Sequence, residues 1–169
     1  MPAFALTIAY WLHMLATVVW LGGLAALSLI ILPAARKSLD SAAQGKLLGQ
    51  IQTRLQPLGW FSLAILAVTG MFQMSAHPAY QGFLAIDSSW ATAILIKHLV
   101  IGLMVLAAGY MTWGVLPALQ RSALMIAAGR QVDPQQMDRL RRREITILRI
   151  NLALSVVVLL LTAWARTSG

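Results

Sequence analysis

The sequence predicts an all-α membrane protein: a polytopic four-helix transmembrane bundle, assembled as two repeated helical hairpins. Three observations carry this. The 169 residues are 59% hydrophobic and only 11% charged, with mean hydropathy +0.75, whereas a soluble domain is about a quarter charged. Four stretches, 3–32, 58–76, 90–119 and 145–165, are apolar enough and long enough to cross roughly 30 Å of hydrocarbon. Most of the positive charge falls in or beside two of the intervening segments.

The first stretch lacks the basic flank and small-residue cleavage site of a signal peptide, and reads as a retained helix. Segment 33–57 carries Arg36, Lys37, Lys46 and Arg54. The segment between the third and fourth helices carries seven arginines, from Arg121 to Arg149. Eleven of the 13 Lys and Arg residues thus sit in these two loops, which by the positive-inside rule face the cytoplasm and leave both termini outside. The net charge of +8 is then an orientation signal and not a nucleic-acid surface. A single domain over 1–169 follows, with the lipid bilayer as its first partner and oligomers open.

Loop 77–89 is expected outside. Trp90 and Trp164 are expected at the outer interface, and Trp60 and Trp113 at the inner one. Asp133-Pro134 reads as N-cap and first helical residue of the fourth helix, and Asp87-Ser88-Ser89 offers caps for the third. Two segments repeat. Ile31-Leu32-Pro33-Ala34-Ala35-Arg36-Lys37-Ser38 parallels Val115-Leu116-Pro117-Ala118-Leu119-Gln120-Arg121-Ser122, 84 residues on. Val68-Thr69-Gly70 parallels Leu161-Thr162-Ala163. The repeat places His13 opposite Lys97 and Met14 opposite His98, all at one depth in the outer half of the bilayer.

Lys97 and His98 interrupt an apolar helix, as His13 does in the first. A charge at that depth costs roughly 2.5–3.5 kcal/mol on insertion scales, so it marks a site. His13, Thr17 and Trp20 share a face. Met71, Met74 and His77 recur every three residues toward the outer mouth, and Asn151, Ser155 and Thr162 form a polar stripe expected to face inward. Gly102 and Gly109 are expected to admit a neighbouring helix closely. The chain has no cysteine, which excludes thiolate sites and thiol catalysis. None of its five acids is expected deep in a helix, and no triad, P-loop or carboxylate pair is present, so an enzyme is the weaker expectation. Imidazole and thioether donors, His13, Met71, Met74, His77 and His98, suit copper, above all Cu(I). The same inventory suits haem b with His13 and His98 as axial ligands, and Lys97 near a propionate.

His13-x6-Trp20-Leu21-Gly22-Gly23 followed by Pro33 resembles the first helix of CopD-type copper resistance membrane domains. Arg54 to Gly70, Trp90-x6-Lys97, and Arg143-Glu144 with Asn151 and Thr162-Ala163 resemble that family's later helices. The resemblance implies an inner-membrane protein of copper uptake or tolerance, with His13, Trp20 and Lys97 at its site and a periplasmic copper-binding protein as partner. A more distant resemblance, to HemJ-type protoporphyrinogen oxidases, implies a haem b oxidoreductase or electron-transfer protein. That family continues its first helix with a Tyr-Leu-Pro-Arg-like run, where this chain has Ala25-Ala26-Leu27-Ser28.

Overall fold

The structure is a computed structural model. It describes residues 3–84 and 86–168, the side chains of Ser41, Ala42 and Ala127 excepted. Every regular element among the described residues is helical. Four long helices are present: α1 (Ala3–Ala25, continued through Ala26–Ile31 and Leu32–Ser38), α2 (Ser41–Ser75), α3 (Ser89–Tyr110, continued through Met111–Val115 and Leu116–Ala127) and α4 (Pro134–Thr167). All four are long and apolar enough to cross a membrane.

The helices outrun their apolar stretches. Residues 41–57, expected as loop, are the first turns of α2, with Pro57 inside the helix. Asp40 starts that helix, its carboxylate accepting from the Ala43 amide at 2.8 Å. The cause is ordinary: hydropathy marks where lipid begins, while capping and propensity decide where a helix begins. Asp133 caps α4 by accepting from Gln135 N at 3.0 Å, and Ser88 caps α3 by accepting from Ala91 N at 3.1 Å. After α3, Gly129 takes the left-handed conformation, φ 72°, which a glycine adopts without strain.

The two hairpins echo each other in backbone as well as sequence. A π-helical segment, Ala26–Ile31, precedes Pro33, and a second, Met111–Val115, precedes Pro117. Proline removes an amide and crowds the carbonyl four residues back; a widened turn just before it relieves both strains. The even helices match at a 93-residue spacing. Ser62 and Ser155 are both buried and bond back to Leu58 and Asn151 carbonyls, and Thr69 and Thr162 bond back to Ile65 and Val158.

α1 packs chiefly on α2 and α3 on α4, and α4 also touches α1. Small buried residues, Ala16, Ser62, Ala93 and Ser155, let backbones approach, which is how helices gain packing where lipid supplies no hydrophobic drive. The outward face is apolar: Val18, Val68, Leu99 and Leu106 are all well exposed. Gly102 has nothing within reach of an added Cβ, and at Gly109 the ring of Trp113 fills that space at 3.0 Å. Neither glycine therefore seats a neighbouring helix.

Two buried clusters close the ends. At the basic end Leu27, Leu48, Met111 and Leu148 pack together. At the far end Met74, Trp90, Ala93 and Ala165 do so. Trp90, expected in an interfacial belt, is buried in this second cluster because the His77 ring stacks on it, centroids 4.3 Å apart. Trp60 and Trp113 pair at 5.3 Å near the basic end.

One acid corrects the sequence reading. Glu144 is 4% exposed although it lies in α4 among arginines. The Gln52 amide donates to its carboxylate, and the charges of Arg141 and Arg36 act on it. Arg141 in turn donates to the buried Gln44 at 3.2 Å. This polar clamp joins α1, α2 and α4 at the basic end, and the clamp, not hydropathy, draws the acid inside.

Candidate functional site

His13 lies at the α1–α2 seam. Its Nδ1 is 2.8 Å from Thr69 Oγ1. The Thr69 hydroxyl has a single proton, donated to the Ile65 carbonyl at 2.6 Å. The ring nitrogen is therefore the donor at the other contact, and the neutral imidazole carries its hydrogen on Nδ1 and a lone pair on Nε2. Two further contacts fix the ring. Gly70 lies under it, so that a Cβ there would come within 3.3 Å of Cε1. One turn higher, Gln73 Nε2 donates to the Ala9 carbonyl at 3.1 Å and holds α2 against α1. Thr17 donates to the His13 carbonyl at 2.8 Å.

Lys97 and His98 part company. Lys97 is half-buried. His98 points another way. Its Nδ1 donates to the Ile94 carbonyl at 2.7 Å, and its ring meets Phe83 edge-on at 4.9 Å. The carbonyl is only an acceptor, so His98 too keeps a lone pair on Nε2.

The methionine–histidine ladder of α2 does not stay on one face. Met71 is 58% exposed on the outward surface, while Met74 is buried against Trp90 and Ala93. Met74 follows Gly70 by one turn, on the same face of α2. His77 is a loop lock. Its Nδ1 accepts from the Ala79 amide at 3.2 Å while its ring covers Trp90, which puts the neutral ring's hydrogen on Nε2. Met14 is outward-facing. Among the described residues no group of three or more His, Cys, Asp or Glu stands ready for a metal ion.

Trp20 belongs to a different place. It lines a cavity of about 120 Å³ between the two hairpins, toward the basic end from His13. Gln52 and Gly59 of α2, Met111 and Thr112 of α3, and Asn151 of α4 share its wall. Trp20 packs on Gly59, where a Cβ would come within 3.1 Å of the indole.

The sequence of the Copper resistance protein D family matches residues 49–165, more than half of the chain. The chain belongs to that family. No curated protein and no solved structure matches it significantly. In this family member the matched span takes in Thr69, Met74, Lys97, Glu144 and Asn151, and His13 and Trp20 lie before it.

Sequence reasoning assigned no role to Thr69 and Gly70 beside His13 or to Glu144 at the basic end. Thr69 and Gly70 were visible only as half of a repeat, although a Thr-Gly pair at the depth of a lone membrane histidine is a usable signal: one supplies a hydrogen-bond partner, the other room for a ring. Glu144 was hidden by its arginine neighbours.

Proposed function

We propose that this copper resistance protein D family member carries or holds copper for uptake or tolerance at the end of the bundle where His13 lies, with Cu(I) as the form it takes. The observation behind this reading is the His13–Thr69 contact. A metal-binding histidine commonly donates its second ring nitrogen to a fixed acceptor, which sets the tautomer and aims the other nitrogen at the metal. His13 has that arrangement. Met74 is the second donor in this reading, since a thioether with an imidazole favours Cu(I) over harder ions.

The same reading orients the protein in a bacterial inner membrane, with the two basic segments in the cytoplasm and both termini outside, so that the His13 end meets copper from outside, delivered by a periplasmic copper-binding protein. Haem b is the rival occupant. The cavity between the hairpins has no histidine in its wall, which favours copper over a haem with axial histidine.

The test is Cu(I) binding by the full chain in lipid nanodiscs, against a chromogenic chelator, beside His13→Ala. Binding by the wild type and its loss in the variant support the reading. An equal affinity in both overturns it, as does a purified protein that shows a haem Soret band and takes no copper.

A further inference from the structure

The cavity between the hairpins contains two buried polar atoms that have no partner among the described residues: Trp20 Nε1 and Asn151 Oδ1. Asn151 is 3% exposed. Two of the other polar side chains in the wall are engaged, and Gln56 lines it as well. Gln52 donates to Glu144, and Thr112 accepts from Trp60 Nε1 at 3.2 Å. An unpartnered donor and an unpartnered acceptor thus belong to two residues of one cavity wall. Leaving both unmade is costly in a medium without water, so the cavity is chemically addressed to something that accepts from an indole N–H and donates to an amide oxygen.

Water meets that description only in part. Gln56 apart, the rest of the wall is aliphatic side chains, Met111, Trp60 and two glycines, and apolar cavities stay dry. At about 120 Å³ the space exceeds what a bridging water occupies. Its rim includes Val19 and Leu58, both exposed on the outward apolar face, so the entry is from lipid. Trp20 and Trp60 supply aromatic surfaces suited to a planar ring. Ligand sites of membrane bundles built from repeats tend to lie where the repeats meet, as this one does.

We propose that this cavity binds a lipid-dissolved amphiphile with an aromatic hydroxyl head group, of the phenol or quinol class, whose hydroxyl accepts from Trp20 Nε1 and donates to Asn151 Oδ1 while its ring and tail fill the apolar remainder. The site is separate from His13 and does not depend on the copper reading.

The probe pair is 4-propylphenol and 4-propylanisole, which differ by methylation of the hydroxyl. The full chain in nanodiscs is titrated with each by calorimetry. The expected result is saturable one-to-one binding of the phenol, with the anisole weaker by roughly tenfold because it cannot donate to Asn151. Asn151→Leu is expected to erase that preference. Trp20→Phe, which keeps an aromatic ring and removes the N–H, is expected to weaken both probes equally. The indole N–H resonance that vanishes in Trp20→Phe should move on phenol binding. Absence of saturable binding, or phenol and anisole binding alike to the wild type, overturns the proposal. So does a Trp20 indole signal unmoved by saturating phenol, the behaviour of a cavity filled by water alone.

Discussion

The Thr69 hydroxyl stands 2.8 Å from His13 Nδ1 with its own proton given to Ile65, so one threonine decides which histidine nitrogen carries the hydrogen. Thr69→Val keeps the shape and removes the acceptor. Its Cu(I) affinity is expected to fall roughly 10–100-fold, the usual cost of losing such a partner. Thr69→Ser is expected to restore most of it. Chelator competition in nanodiscs measures both; a valine variant that binds like the wild type removes the tautomer argument.

Gly70 tests position instead of hydrogen bonding. A methyl group there would meet His13 Cε1 at 3.3 Å, closer than ordinary contact, and Thr69 restrains the ring from yielding. Gly70→Ala should therefore lower copper affinity with thermal stability little changed. Unaltered affinity would mean the ring has room to move and that Gly70 serves only helix packing.

The two methionines of α2 separate a ligand from a packing residue. Leucine matches methionine in volume and costs a core little. Met74→Leu is expected to weaken Cu(I) binding at near-native stability, and Met71→Leu, on the outward face, to change neither. X-ray absorption at the copper edge gives a second readout, with sulfur scattering lost only in the Met74 variant. Sulfur retained in that variant assigns the thioether elsewhere.

Much of this fold was readable from hydropathy alone, because a span is a property of some twenty consecutive residues and tolerates local error. Helix ends were not, since they turn on single caps such as Asp40, which apolar counting ignores. The repeat was legible because Pro33 and Pro117 impose the same backbone widening wherever they occur. The site was half legible. His13 and Lys97 stand out as expensive residues, and the partner that fixes the His13 ring, Thr69, does not. Whether Met71 or Met74 faces inward depends on helix rotation, which the three-residue spacing of Met71, Met74 and His77 leaves open. Glu144 looked solvated beside Arg142 and Arg143; only the position of Gln52 on a helix 92 residues away shows that it is clamped inside.

That clamp should matter to stability. Glu144→Ala leaves the Gln52 amide and the arginine charges without their acceptor, and is expected to cost about 2–4 kcal/mol, read as a lower unfolding temperature in mild detergent. Glu144→Gln keeps an acceptor oxygen for Gln52 and loses only the charge, so it should cost less. If glutamine costs as much as alanine, the arginines and not Gln52 hold the acid in place.

Orientation is open to a direct chemical test because the chain contains no cysteine. Gln81 and Gln131 are both exposed in loops at opposite ends of the bundle. Gln81→Cys is expected to react with a membrane-impermeant maleimide on intact spheroplasts, and Gln131→Cys only after permeabilisation. Arg36 and Lys37 at the end of α1 and the arginines in the first turns of α4 resist translocation together. The reverse labelling pattern would turn the His13 end toward the cytoplasm, and copper would then have to be received from inside the cell. The far-end cluster around Met74 and Trp90 would become the barrier on the receiving side, which makes the sidedness of Gln81 a test of uptake against export as well as of topology.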